Sequence, residues 1–216
     1  REEVLGLVGD NGAGKSTLIK IISGVHNPTS GSVFFEGERI NVFNPKNARL
    51  LGIETIYQDL SLAEKLSITQ NIFLGKEIIH NNWKKNLCLC QKTSPEEEEA
   101  QKILNNLMIK IFSVKSKVLN LSGGQRQSVA ISRSIYWNAK ILIMDEPTAA
   151  LGVIETKTVY DMVRTLKNER LGIIFISHNI DDVLKFTDRI CILKMGFTKG
   201  EFMTKAARKK AIVHLM

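Results

Sequence analysis

Nine residues, Gly9-Asp10-Asn11-Gly12-Ala13-Gly14-Lys15-Ser16-Thr17, limit what this chain can fold into more than anything else in it. They satisfy the pattern Gly-x-x-x-x-Gly-Lys-Ser, in which glycines let backbone N–H groups turn inward around phosphate oxygens. The apolar run Val4-Leu5-Gly6-Leu7-Val8 comes just before and reads as a buried strand; a helix start follows. Strand, glycine loop and helix N-terminus in that order call for an α/β fold, with the partial positive charge of the helix start aimed at an anion. Gly9, Asn11, Gly12, Ala13, Gly14, Lys15, Ser16 and Thr17 are therefore the candidate ligands of a nucleoside triphosphate. In that pattern Lys15 reaches the β- and γ-phosphates, and the Ser16 hydroxyl ligates Mg²⁺.

The rest of the composition narrows the setting. With 44% hydrophobic and 24% charged residues, the chain has the make-up of a soluble globular domain. No apolar run reaches the roughly 18 residues needed to span a bilayer, so any membrane role is expected to be peripheral. Arg1-Glu2-Glu3 leads straight into the first strand, without a signal-peptide pattern, and a strand this early suggests that the domain starts upstream. The net charge of +8 is concentrated near the end. Residues 189–216 carry seven basic side chains against Glu201, which is +6 and leaves +2 for the rest. That tail reads as a solvated terminal helix or, more sharply, as a contact for an acidic partner or lipid headgroups; nucleic-acid binding is not expected. Cys88, Cys90 and Cys191 have neither disulfide-framework nor zinc spacing.

Apolar runs and turn clusters alternate along the chain. Strands are predicted over 4–8, 53–57, 140–145, 172–177 and 189–194, with helices over 15–23, 45–51, 153–167 and 179–186. Short strands over 32–35 and 39–42 flank Glu36-Gly37-Glu38 as a hairpin. Helical signals dominate between Leu60 and Asn120, at 66–75 and 95–109, and again from Gly123 to Trp137; the stretch 80–92 fits no element. Continuous apolar strands separated by helices point to a mostly parallel sheet covered on both faces. The expected plan is an α/β core over 1–59 and 136–216, with a small antiparallel piece over about 31–57 and a helical subdomain over 60–135.

Further chemistry-bearing residues fall at element ends. Ile141-Leu142-Ile143-Met144-Asp145-Glu146 is an apolar strand delivering two carboxylates at its carboxyl end, where open α/β sheets place their ligands. Asp145 suits the Mg²⁺ sphere, and Glu146 suits a base that polarises the attacking water. On its own the pair is equally an exposed acidic turn before Pro147. Leu121-Ser122-Gly123-Gly124-Gln125 puts a hydroxyl and unhindered amides at a helix start: a second anion cradle or a simple N-cap. Gln58, at a strand end, is a candidate for Mg²⁺ or the attacking water, or an ordinary polar residue. His178 would share the sheet's carboxyl edge with Glu146 and reach a γ-phosphate.

Taken in order, the phosphate loop, Gln58, LSGGQRQ, ILIMDEP and His178 resemble the ABC transporter ATPases, over nearly the whole chain. The resemblance implies a RecA-like P-loop NTPase core with a helical ABC subdomain, and ATP hydrolysis with Mg²⁺. It also implies a head-to-tail dimer in which ATP on Gly9–Thr17 of one subunit is capped by Leu121–Gln125 of the other. Catalysis would fall to Glu146, His178 and Gln58, and Mg²⁺ to Ser16, Gln58 and Asp145. The wording of GIETIYQDLSLAEKLSITQNIFLGKE and AKILIMDEPTAALGVIET is similar to bacterial monosaccharide importers of the ribose, xylose and fructose class. That implies transmembrane permease subunits, indirectly a sugar-binding protein, and a peripheral place on the cytoplasmic face of the membrane. Three positions depart from the family: Gly152 replaces a carboxylate after the catalytic loop, and Ser132 and Ser134 replace small apolar residues in the signature helix. The family's adenine-stacking aromatic would lie upstream of Arg1. The competing readings are a soluble ABC ATPase of nucleic-acid or translation processes, and a regulatory ABC domain with little turnover.

Overall fold

Strand β1 (Val4–Val8) lies between two strands made far later in the chain, β6 (Gly172–Ile176) and β7 (Arg189–Lys194), and pairs in parallel with both. β6 pairs with β5 (Ile141–Asp145), and β5 with β4 (Ile53–Ile56), again in parallel. The sheet order is β4-β5-β6-β1-β7-β8, with β8 (Phe197–Met203) antiparallel on the far edge. This computed structural model describes residues 3–40, 44–78, 94–109, 111–149 and 151–216. They fall into two compact units, Arg1–Asp59 with Asn138–Met216, and Leu60–Trp137.

The first unit follows from strands that are apolar on both faces. Leu142, Ile143, Met144, Phe175 and Ile176 are fully buried, as a parallel sheet covered by helices requires. Helix α6 (Val153–Asn168) buries Val159, Tyr160, Met162, Val163 and Leu166, one stripe at helical spacing. Helix α7 (Ile180–Phe186) lies so near β1 that a Cβ on Gly6 would meet the Val183 side chain at 2.5 Å. Helix α1 (Lys15–Ile22) buries Ile19. Helix α2 (Pro45–Leu50) starts with Pro in its first turn, the Asn44 side chain accepting from the Asn47 amide.

Two expectations need correcting here. Within 31–57 only β2 (Phe34–Phe35) and β3 (Glu38–Arg39) pair antiparallel, through a two-residue turn with positive φ at Glu36 and Gly37. β4 instead joins the main sheet, because its apolar face is buried only beside β5, its partner from residue 141 onward. The basic tail is not a solvated helix. Its first half is the β7–β8 hairpin, where Arg189 bonds Glu3 at 2.7 Å and Glu201 at 2.7 Å. Only α8 (Lys209–Leu215) is helical beyond a short 3₁₀ turn; it buries Ile212, and Lys209 pairs with Asp181. Cys191 is buried in β7, and burial pushes its thiol up, out of reach of ready ionisation. Cys88, Cys90 and the stretch 80–92 lie outside the described residues.

The second unit is helical. α3 (Ile68–Phe73) and α4 (Pro95–Asn106) each begin with a reciprocal capping box, Ser67 with Gln70 and Ser94 with Glu97. Buried Asn71 ties the preceding loop down, donating to the Ala63 and Ser67 carbonyls and accepting from the Ala63 amide. α5 (Gly123–Tyr136) packs Tyr136 on Phe73, with ring centroids 4.3 Å apart. Ser132 and Ser134, the two departures in this helix, are buried without an unmet donor. Each hydroxyl donates to the carbonyl one turn back, as Ser128 also does, at 2.8–3.2 Å. A small polar residue is thus accommodated where an apolar one packs elsewhere.

Candidate active site

Four parallel neighbours, β4, β5, β6 and β1, end on the same edge of the sheet. That edge receives Gln58 after β4, Asp145 and Glu146 at the end of β5, Ser177 and His178 after β6, and the phosphate loop after β1. Segments distant in sequence are side by side because the strand order makes them so.

The loop is shaped by close backbone contacts. A Cβ on Gly9 would meet the Leu193 carbonyl oxygen at 2.4 Å, so only glycine lets the chain turn there. The Ala13 amide closes the turn on the Asp10 carbonyl at 3.0 Å. Gly12 and Gly14 have φ of 82° and 100°, in the left-handed region. Gly14 caps α1 without a side chain, so the amides of Lys15, Ser16 and Thr17 start the helix with no internal acceptor. Lys15 reaches back across the loop, its ammonium donating to the carbonyls of Gly9 at 2.6 Å and Asp10 at 3.1 Å. Asn11, Gly12, Ser16 and Thr17 are exposed, and Ala13 is buried.

Support comes from a place the sequence did not reveal. Met195 and Gly196, the two-residue turn between β7 and β8, both have positive φ, and the Gly196 amide donates to the Ala13 carbonyl at 2.9 Å. The Met195-Gly196 dipeptide between Lys194 and Phe197 is a hairpin signal, weakened by a Met in a position that favours Asn or Gly.

The carboxylates differ in setting. Asp145 is half-buried; burial pushes its carboxyl up, and the Lys15 charge pulls it back down. Glu146 has φ of 50°, its amide donating to the Ile176 carbonyl at 3.0 Å and its carbonyl accepting from the Ala149 amide at 3.2 Å. A left-handed glutamate is a strained backbone position held by its surroundings. Its carboxylate meets His178 Nδ1 at 2.8 Å. A carboxylate only accepts, so this bond assigns the proton to Nδ1 and leaves Nε2 for another partner. The Glu146 side chain is 18% exposed and that of His178 71%. Thus the carboxylate is sheltered while the ring faces outward. Gln58 is exposed beyond β4.

Glu146, Ser177 and His178 also border a cavity of about 780 Å³ whose lining includes Thr148, Tyr160 and Asp182. None of these last three was singled out from the sequence. Tyr160 sits at a buried helical position, where an aromatic reads simply as core.

A second phosphate-cradle candidate, the glycine-bearing start of α5, lies in the second unit. The Ser122 hydroxyl accepts from the Gln125 amide at 3.4 Å, and the Gln125 side chain accepts from the Ser122 amide at 3.0 Å. Arg126 braces the approach, bonding the carbonyls of Leu119 and Leu121 and the Glu64 carboxylate. Ser122 and Gly123 are exposed, and Gly124 is buried. The Gly152 departure has a local explanation too: its φ is an ordinary −69°, and its amide donates to the Glu155 carboxylate at 3.1 Å.

Among the described residues no group of three or more His, Cys, Asp or Glu could hold a metal. A hard cation would therefore draw on a hydroxyl, a single carboxylate and the phosphates themselves, the set Mg²⁺ favours; Ser16 and Asp145 fit it. No helix of the described residues is long and apolar enough to cross a membrane.

Comparison with known proteins gives a consistent result. The family profile described as ABC transporter matches residues 1–149. The xylose/arabinose import ATP-binding protein of Sulfolobus acidocaldarius is 49% identical over 197 residues, 90% of this chain and 74% of that one. The fructose import ATP-binding protein of Rhizobium meliloti is 42% identical, over 90% of this chain and 75% of its own. A ribose import ATP-binding protein of Escherichia coli O157:H7 is 36% identical over 99% of this chain, which spans only 41% of it. Among solved structures, an ATP-binding cassette of an ABC transporter in its ADP conformation superposes with a TM-score of 0.82 at 27% identity, covering 100% of this chain and 87% of that one. A dimeric cassette in a post-hydrolysis state, bound to ADP and Pi, gives 0.74 at 25% identity, over 95% and 87%.

Proposed function

The chain belongs to the ABC transporter family of ATP-binding cassettes, and from that premise we propose that it is the ATP-hydrolysing subunit of a monosaccharide importer. The observation that carries the catalytic part is the 2.8 Å bond between His178 and Glu146 on the sheet edge that also bears the phosphate loop. Glu146 is the base: its carboxylate takes a proton from the attacking water, and His178 holds that carboxylate in place through Nδ1 while Nε2 faces the γ-phosphate. Lys15 exchanges its loop carbonyls for phosphate oxygens, and the uncapped amides of α1 receive the β-phosphate. Ser16 and Asp145 would hold Mg²⁺ brought with ATP, which would supply neutralisation of phosphate charge there. Asp145 is half-buried, and burial pushes its carboxyl up. Gln58 lies at the same edge as a further ligand for Mg²⁺ or the water.

Ser122 to Gln125 then act on the ATP of a second cassette, the two chains joining head to tail; that a similar cassette is dimeric in its post-hydrolysis state supports the pairing of two chains. Relatives named for xylose/arabinose, fructose and ribose import support sugar uptake through transmembrane permease subunits, fed by a sugar-binding protein, with this chain on the cytoplasmic face of the membrane. The plan of an α/β core and a helical signature subdomain suits these tasks, one part binding nucleotide and the other completing the partner's site.

The deciding experiment is Glu146→Gln. ATP binding is expected to persist while turnover falls about 10²–10⁴-fold, the range for losing a general base. Undiminished hydrolysis would remove Glu146 from this role.

A further inference from the structure

Tyr160 carries a group that packing does not require. Its ring is stacked on Phe186 of α7 at 3.6 Å and tilted against Phe175 of β6 at 6.2 Å. A phenylalanine would fill that place equally well. The residue is only 6% exposed, and its hydroxyl is buried with no partner at hydrogen-bond geometry. Burying an unmet hydroxyl is costly, so a tyrosine here calls for an explanation. Two polar groups act on that hydroxyl, the Asp182 carboxylate on α7 and the Thr148 hydroxyl, and all three line the cavity that Glu146 and His178 border.

Thr148 is two residues beyond Glu146, on the same tight turn. The Ala149 amide bonds the Glu146 carbonyl, and the Leu151 amide bonds the Thr148 carbonyl. A shift of Thr148 therefore moves the strained residue that presents the carboxylate. We infer that Tyr160 is a positioning residue for ATP hydrolysis: its hydroxyl accepts from Thr148 and donates to Asp182 as the turn closes, locking Glu146 against the attacking water. This rests on the ATPase reading above. The ring, pinned between α7 and β6, is a fixed post against which Thr148 is held. The lock braces the base and includes no residue of the phosphate loop, so it acts on kcat and leaves nucleotide affinity alone.

The test is Tyr160→Phe in the full chain, assembled as it hydrolyses ATP, with Tm, KM and kcat measured together. Tm is expected to hold or rise, KM for ATP to stay unchanged, and kcat to fall about 3- to 10-fold, the worth of one hydrogen bond. Thr148→Val should give a similar loss, Thr148→Ser should restore turnover, and the double variant should be no slower than the slower single one. Equal kcat in wild type and Tyr160→Phe overturns the inference, as does a kcat loss matched by a fall in Tm, or losses that multiply in the double variant. A wild-type chain that does not hydrolyse ATP refutes the ATPase reading itself, and the inference falls with it.

Discussion

The glycine-bearing starts of α1 and α5 meet the same problem in opposite ways. Any helix leaves its first amides without internal acceptors. At α1 nothing in the local sequence satisfies them: Gly14 has no side chain to cap with, and the loop owes its shape to Leu193 and Gly196 pressing from outside. At α5 the turn satisfies itself, Ser122 and Gln125 exchanging bonds in a complete capping box braced by Arg126. The first is a socket left open for an anion and held rigid by the rest of its unit. The second is finished without a ligand, so a phosphate must use the Ser122 hydroxyl and the leading amides or compete with Gln125. A permanent binding site fits the first design, and a contact made and broken in each cycle fits the second.

The largest effect that bears on this contrast is expected from Lys15→Ala. It removes charged hydrogen bonds from the open socket and should weaken ATP binding by about 10- to 100-fold, measured by titration. Unchanged affinity would mean that the loop is not the socket. Gly14→Ala comes next: at φ 100° and with Gly196 Cα at 3.3 Å, a side chain should cost about 1–2 kcal/mol in folding stability and distort the start of α1. In denaturant melts, a shift below a few tenths of a kcal/mol would show that the loop is less rigid than its contacts imply. Ser122→Ala should cost about 1 kcal/mol of stability through the lost cap, yet leave ATP affinity of a single chain intact. If affinity falls with it, the two helix starts are not independent. Smallest of all is Gly152→Asp. A Cβ there meets only Glu155 at 3.7 Å and φ is ordinary, so Tm should move by no more than the few tenths of a kcal/mol that separate Gly from a better cap. Marked destabilisation would reveal a constraint on this loop that its geometry does not show.

What the sequence disclosed and what it hid follow the same line between local and imposed order. The phosphate loop, the Asp145-Glu146 pair and the Ser122 turn each depend on residues within a few positions, and pattern finds such features. Sequence alone groups β4 with the hairpin near it, because its true partner β5 begins 88 residues after it, at Ile141 against Ile53. β8 carries no strand signal of its own. Phe197-Thr198-Lys199-Gly200-Glu201 is mostly exposed and polar, and it is a strand only because β7 offers it an edge. The positive φ of Glu146 and the unmet hydroxyl of Tyr160 are tertiary facts, with no signature in residue type. Gly152, Ser132 and Ser134 were visible as departures; their resolution needed the Glu155 contact and the back-bonded ladder of α5.

The place of β1 in the sheet also sets a timetable. It leaves the ribosome before every other strand of its sheet, yet both of its neighbours are made more than 160 residues later, and the turn that clasps its loop lies at residues 195 and 196. Pairings this distant in sequence form slowly and late. The nucleotide socket is thus made before the rest of its sheet and completed only after it. A nascent chain stalled before Gly196 would carry every residue of the phosphate loop and still lack the contact that gives the loop its form.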